Sequence, residues 1–128
     1  MNRVVSFEIH ADNLERASIF YSTVFGWQFS PWPNNPDYLS IKTGEGVGID
    51  GGMVKRHTEV KDDGIIAYVC TIEVADIDKI LLAVTDNGGI IAIGRQEVMG
   101  VGYLAYCRDS EGNNFGLIQR YPSAAVQA

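Results

Sequence analysis

Residues 3–10, RVVSFEIH, alternate: Val5, Phe7 and Ile9 fall on one face, Ser6, Glu8 and His10 on the other. That period of two predicts a strand with one apolar and one polar side. The period then changes. Asp12 stands where a helix cap is wanted, with Glu15 at the third helical position. Leu14, Ala17, Phe20, Tyr21, Val24 and Phe25 follow at helical spacing, and Gly26 supplies the stop. The segment WQFSPWPNNPD holds three of the four prolines and predicts a short strand running into a loop. DYLSIKT and GIDGGMVKR are strand-like runs around the glycine-rich turn GEGVG. Residues 57–64, HTEVKDDG, are polar and without period, which marks a linker in which His57 is solvated.

After the linker the order repeats. IIAYVCTIEV predicts a strand, Asp76 a cap, IDKILLAVTDN a helix, and Gly88–Gly89 its end. IIAIGRQEV, GYLAYCRD and NNFGLIQRY are three more strands, the last two joined by the turn DSEGN. The halves register at a constant offset of 63 residues: Leu14-Glu15-Arg16 falls on Ile77-Asp78-Lys79, Ile9 on Ile72, Phe7 on Cys70 and Ser6 on Val69. The agreement is one of pattern and not of letters. A duplicated βαβββ unit follows: a first module over 3–56, the linker 57–64, a second module over 65–121 and a tail over 122–128, together one α+β domain. Neither copy can bury both sheet faces alone. The expected architecture is a curved eight-stranded mixed sheet with helices outside and a concave cavity inside.

Composition narrows the function. A chain of 128 residues buries about 70% of its unfolded surface and needs no disulfide or metal to fold. Its formal charge of −6 lacks the basic footprint that nucleic acid or an anionic membrane demands, so neither is an expected partner. No apolar run reaches the roughly 18 residues of a membrane span, and the N-terminus has no signal-peptide core. The two cysteines, Cys70 and Cys107, fit neither a disulfide framework nor a zinc motif. A cytoplasmic protein with reduced thiols is expected, Cys70 being a small buried residue. Cys107 and Arg108 are strand neighbours and point to opposite faces, so a cysteine nucleophile is not expected.

Two stretches carry a resemblance. FEIHADNLERASIFYSTVFGW (7–27) and YCRDSEGNNFGLIQ (106–119) resemble the vicinal oxygen chelate superfamily, which includes glyoxalase I, extradiol dioxygenases and bleomycin-resistance proteins. The first resembles that superfamily's strand and "acidic-x-x-x-x-FY-x-x-x-x-G" helix, the second its "D-P-D-G-N" hairpin. With the duplication, the likeness spans about residues 3–120. It implies the glyoxalase/bleomycin-resistance fold, while leaving activity open, because the scaffold is shared by many reactions.

The resemblance also implies where a metal would be held. Metal-dependent members take one ligand, usually His or Glu, from each of four strands, to hold an ion that polarises a substrate oxygen. Those positions fall on Ser6, Val69 and Gly116, with the fourth near Gly52. Serine, valine and glycine do not replace His and Glu around a transition metal. The inherited metal site therefore reads as lost, and no cofactor is expected.

The residues left on the same strand faces become the candidate ligand contacts. Glu8 and His10 share a face with Ser6, their Cβ atoms roughly 7 Å apart, and can share a proton through a water or a ligand. Thr71 and Glu73 are their counterparts at the offset, and Asn114 lies on the Gly116 face. Glu8 and His10 otherwise serve structure, Glu8 bonding across the sheet and His10 standing at its rim. With Glu73 they offer one nitrogen and two carboxylates for a metal site that the family pattern does not contain. Trp27, Trp32, Tyr38, Tyr68, Tyr103, Tyr106 and Phe115 suit a pocket for an apolar or aromatic molecule, but equally the filling of a sheet core. Trp32, in the proline-rich loop, is the candidate lid, and Tyr38 a further contact.

Three functions fit. The first is a metal-free small-molecule binding or sequestering protein, similar to resistance-type members that hold a compound between two subunits. The second is an enzyme: a glyoxalase-like lyase or isomerase, or a dioxygenase, using an unrecognised metal set, or metal-free acid–base chemistry by Glu8 and His10. The third is an interaction module whose cavity is packed shut. A homodimer is implied by the resemblance alone.

Overall fold

The computed structural model describes residues 1–56 and 66–122. These form two tandem βαβββ modules: β1 (Arg3–Ala11), α1 (Leu14–Phe25), β2 (Gln28–Trp32), β3 (Asn35–Lys42) and β4 (Asp50–Lys55), then β5 (Tyr68–Glu73), α2 (Ile77–Asp86), β6 (Ile90–Val98), β7 (Gly102–Arg108) and β8 (Asn114–Arg120). By compactness, residues 6–69 make one unit, and residues 1–5 with those from Cys70 onward make another. The expected linker, with His57, and all but the first residue of the expected tail lie outside the described residues.

In the first unit the strands run in the order β2-β3-β4-β1. β1 is parallel to β4, and the other pairs are antiparallel. The alternation in β1 is as expected: Phe7, Ile9 and Ala11 are buried, whereas Ser6, Glu8 and His10 are half-buried. Phe7, Ile9 and Ala11 join Ile41 and Met53 in a core that Leu14, Ala17 and Tyr21 of α1 cover. Fully burying a side chain such as Met53 contributes about 1.5–3 kcal/mol. The remaining apolar positions of α1 turn outward, Phe20, Val24 and Phe25 being more than half exposed.

Two local expectations are corrected here. Asn13 caps α1, its side chain accepting from the Arg16 N–H at 2.9 Å, while Asp12 pairs with Arg56 at 3.0 Å. The proline-rich segment holds its expected short strand, but the loop after it is only a tight reversal into β3: β2 and β3 pair from Gln28–Lys42 to Trp32–Asn35, with a register shift after Pro31. β2 is an edge strand of this unit, where a proline's missing N–H costs no ladder bond. Asn34 makes the reversal at φ 61°, a conformation asparagine tolerates.

In the second unit the order is β5-β8-β7-β6, with β5 parallel to β8 and the other pairs antiparallel. Val74, Ile77, Leu81, Ala105, Cys107 and Leu117 form its core beneath α2. Asp76 caps α2 by accepting from the Lys79 N–H at 3.1 Å, the counterpart of Asn13 and Arg16 at the offset. The helix stops at Asp86, with Asn87 as its cap just before Gly88. The DSEGN turn is tied by Asp109, whose carboxylate accepts from the N–H groups of Glu111 and Asn113 at 2.8 and 2.9 Å. Those hydrogen bonds hold its carboxyl below the usual range. Cys107 is buried and its thiol pushed up by burial, whereas Cys70 is exposed, against expectation.

Candidate ligand site on the first module

The side of the first sheet away from α1 is polar because four strands alternate in register. Glu8 lies level with Gly52, and Gly52 with Ser40. Ser40 pairs in turn with Ser30. One step along, His10 lies level with Val54, and Val54 with Tyr38. Leu39, Ile41 and Met53, the alternate residues, are on the core side. Ser30 and Ser40 are absent from the sequence-derived set, although Leu39–Ile41 against Tyr38–Ser40 carries the same alternation as β1.

Glu8 and His10 meet on this face, with Oε1 and Nε2 3.4 Å apart and both side chains largely covered. Beside them lies Tyr38. An ideal Cβ on Gly52 would fall 1.8 Å from the Tyr38 hydroxyl oxygen, so the phenol occupies the space a side chain at position 52 would need. Burial, and then the negative charge of Glu8, push the Tyr38 phenol above its ordinary range. Tyr38 is therefore a neutral donor at physiological pH. Trp32 stands edge-on to Tyr38, ring centres 5.6 Å apart. Trp32 lies on β2 and not in the loop expected for a lid. His10 also lines an open cleft of about 360 Å³, bounded by Asp12, Arg16, Phe20, Tyr21 and Arg56. That volume is within the range of small-molecule sites.

The other candidates lie in the second module. Thr71 is buried and level with Gly116. Glu73 pairs with Arg120 at 3.5 Å, and Asn114 accepts from the Arg108 Nε–H at 3.1 Å. Of the aromatic side chains, Trp27, Tyr103 and Phe115 pack against the helix-side cores. Tyr68 stacks on Phe7. Tyr106 passes close to Gly116, 3.5 Å from where its Cβ would be.

The residues at the implied metal positions do not fit a divalent ion. Ser6 offers a hydroxyl, and Val69 is buried with no donor. At Gly52 the Tyr38 oxygen takes the space, and at Gly116 a Cβ would already meet the Thr71 hydroxyl at 3.0 Å. Among the described residues, no group of three His, Cys, Asp or Glu side chains is placed to hold a metal, so Glu73 does not complete a set with Glu8 and His10. Among the described residues, no helix is long and apolar enough to cross a membrane.

Residues 3–44 match the family model described as "Bleomycin resistance protein-like N-terminal". Along nearly its whole length the chain is similar to a glyoxylase-like domain-containing protein of Didymella fabae, 31% identical over 127 residues, covering 92% of this chain and 94% of the relative. Its fold is similar to that of methylmalonyl-CoA epimerase from Mycobacterium tuberculosis, with a TM-score of 0.70 at 14% identity, covering 95% of this chain and 90% of that one. A Streptomyces coelicolor methylmalonyl-CoA epimerase variant in complex with 2-nitronate-propionyl-CoA aligns with a TM-score of 0.66 at 13% identity, covering 95% and 99%. At such identities the structures speak for the fold alone.

Proposed function

Because the chain belongs to the vicinal oxygen chelate superfamily, on the side of its glyoxalase-like and bleomycin-resistance-like proteins, we propose that it is a metal-free, small-molecule-binding protein. The ligand is held on the polar face of the first module, with Ser6, Glu8, His10, Trp32 and Tyr38 as its contacts. Thr71, Glu73 and Asn114 are proposed as a separate set of ligand contacts on the second module's own sheet. The observation that carries this reading is the Glu8–His10 pair, largely covered and 3.4 Å apart, beside the Tyr38 phenol. The exposed apolar edge of Trp32 suits a ligand with an aromatic or aliphatic part. We take the working form to be a cytoplasmic homodimer, in keeping with two unpaired cysteines.

The same pair supports a second reading. A carboxylate touching an imidazole is an acid–base couple, fit for proton transfer beside a carbonyl in an isomerase or lyase. His10→Ala separates the two: it abolishes turnover in an enzyme, and changes affinity by a small factor in a binder. Native mass spectrometry of untagged protein tests the common premise. A metal-free dimer carrying an organic mass is the expected result; one tightly held transition metal per chain overturns it.

A further inference from the structure

The helix side of the first module holds a feature that the polar face does not use. Arg16, Ala17, Phe20 and Tyr21 recur at the spacing of one face of α1 and, with the end of β1 and Arg56, line the open cleft of about 360 Å³. Every residue around it belongs to the first unit. His10 borders both places, but Ser6, Glu8, Trp32 and Tyr38 do not line the cleft. We propose that this cleft is a second ligand site and takes an organic carboxylate with an aromatic body. The carboxylate lies on the Arg16 guanidinium, and the ring lies in the corner made by Phe20 and Tyr21.

Charge selects the head group. Arg16, Arg56 and Asp12 are the charged residues of the lining. Asp12 and Arg56 pair at 3.0 Å, with the arginine side chain largely covered, so this pair is internally neutral. Arg16 is exposed, and its side chain makes no ion pair or hydrogen bond with another described residue. The cleft thus carries an unmatched positive charge in a chain whose formal charge is −6. A guanidinium is a planar fork of donors that matches the two oxygens of a carboxylate.

The aromatic corner selects the body. Phe20 lies one turn beyond Arg16 on the same helix face, their Cβ atoms roughly 6 Å apart. Its ring stands edge-on to Tyr21, with centres 5.1 Å apart and planes at 90°. Tyr21 is held in place by lying parallel to Trp27 at 4.9 Å, and its hydroxyl is spent on Tyr68. It offers the cleft a ring and not a polar group. Phe20 is 55% exposed, an apolar surface that a flat ring laid against it would cover. A carboxylate joined to its ring directly, or through one carbon, spans the step from Arg16 to this corner. The volume is at the lower end of small-molecule sites, which suits a molecule of roughly one or two rings.

The test is a titration of the ¹⁵N-labelled full chain with 2-naphthoate, set against its neutral isostere 2-naphthamide. The acid is expected to shift the amide resonances from Arg16 to Tyr21 saturably and to leave those of Ser30 and Ser40, on the polar face, in place. The amide is expected to bind at least about 10-fold more weakly, because it lacks the charge. Arg16→Gln is expected to raise the Kd for the acid by about 10-fold, the scale of a hydrogen bond to a charged group. Phe20→Ala is expected to weaken it by a similar factor. Both side chains are exposed, so the thermal midpoint stays close to wild type. No saturable shift, equal binding of the neutral amide, or an unchanged Kd in Arg16→Gln overturns the proposal. So do shifts confined to Ser30 and Ser40, which would make the acid a ligand of the polar face. Movement of the Arg16–Tyr21 resonances with protein concentration alone would put a second copy of the chain in the cleft, and also overturns it. The polar-face reading stands or falls separately, on the organic mass carried in native mass spectrometry.

Discussion

The Tyr38 hydroxyl and Gly52 exclude each other's growth: an ideal Cβ at position 52 falls 1.8 Å from the phenol oxygen and 2.3 Å from the ring carbon that bears it. Gly52→Ala must therefore lift Tyr38 from its seat, at about 1–3 kcal/mol for overpacking. Truncating the ring by Tyr38→Ala removes the obstacle. Urea denaturation of both single variants and the double variant is expected to show a coupling of at least about 1 kcal/mol. Strictly additive costs would mean that the two positions do not touch.

Gly51 makes the instructive contrast. A Cβ there meets the backbone oxygen of Phe7 at 2.4 Å, and backbone cannot swing aside as a phenol ring can. Gly51→Ala is expected to cost more than Gly52→Ala, and no side-chain truncation relieves it. Equal midpoints for the two alanine variants would contradict this account.

The two caps give a quieter measurement. Asn13→Ala and Asp76→Ala each remove the acceptor for one orphan N–H of a helix, that of Arg16 or Lys79. Each is expected to lower stability by about 1 kcal/mol. Asp12→Ala removes only an ion pair with Arg56 and is expected to cost less than either cap. A larger loss at Asp12 than at Asn13 would restore Asp12 as the cap.

Why Asp12 attracted the cap in the sequence is physical: aspartate and asparagine cap almost equally well, so adjacent Asp12 and Asn13 are indistinguishable by type. Only the repeat separates them, since Asp76 lies at the 63-residue offset from Asn13. The β1 alternation was legible because its two faces meet two different environments. The β2–β3 hairpin was not, because three prolines read as a break, and the exemption for edge strands depends on a strand order that no local pattern states. The Glu8–His10 contact follows from i,i+2 spacing on one strand. The Tyr38–Gly52 contact depends on how β3 is set against β4, and the hydrophobic pattern leaves that register open. Cys70 shows a smaller failure: residue type suggested burial, but its strand position faces outward.

The alkaline limb of stability carries another signature. Tyr68 is pushed up to about 12 by desolvation first and then by its hydrogen bond with Tyr21. A raised folded value means that the native state keeps its proton when the unfolded chain has lost it. The resulting stabilisation is present in full below about pH 10, the ordinary tyrosine value, and is lost as pH rises toward 12. Tyr21→Phe is expected to bring Tyr68 ionisation to lower pH, read as phenolate absorbance. A titration curve identical to wild type would show that the Tyr21 hydroxyl has no part in it.

The 63-residue repeat has a consequence for how such a site can change. A ring of two identical half-length chains would be bound by its symmetry, so every substitution would appear twice and no acid could be gained on one side alone. Covalent fusion lifts that constraint. At the shared offset Glu8 corresponds to Thr71 and His10 to Glu73, and Glu73 is engaged with Arg120. One half carries a carboxylate–imidazole couple while the other carries different residues at the equivalent places. Duplication followed by fusion thus doubles the number of positions that selection can address independently, and chemical asymmetry becomes reachable one mutation at a time.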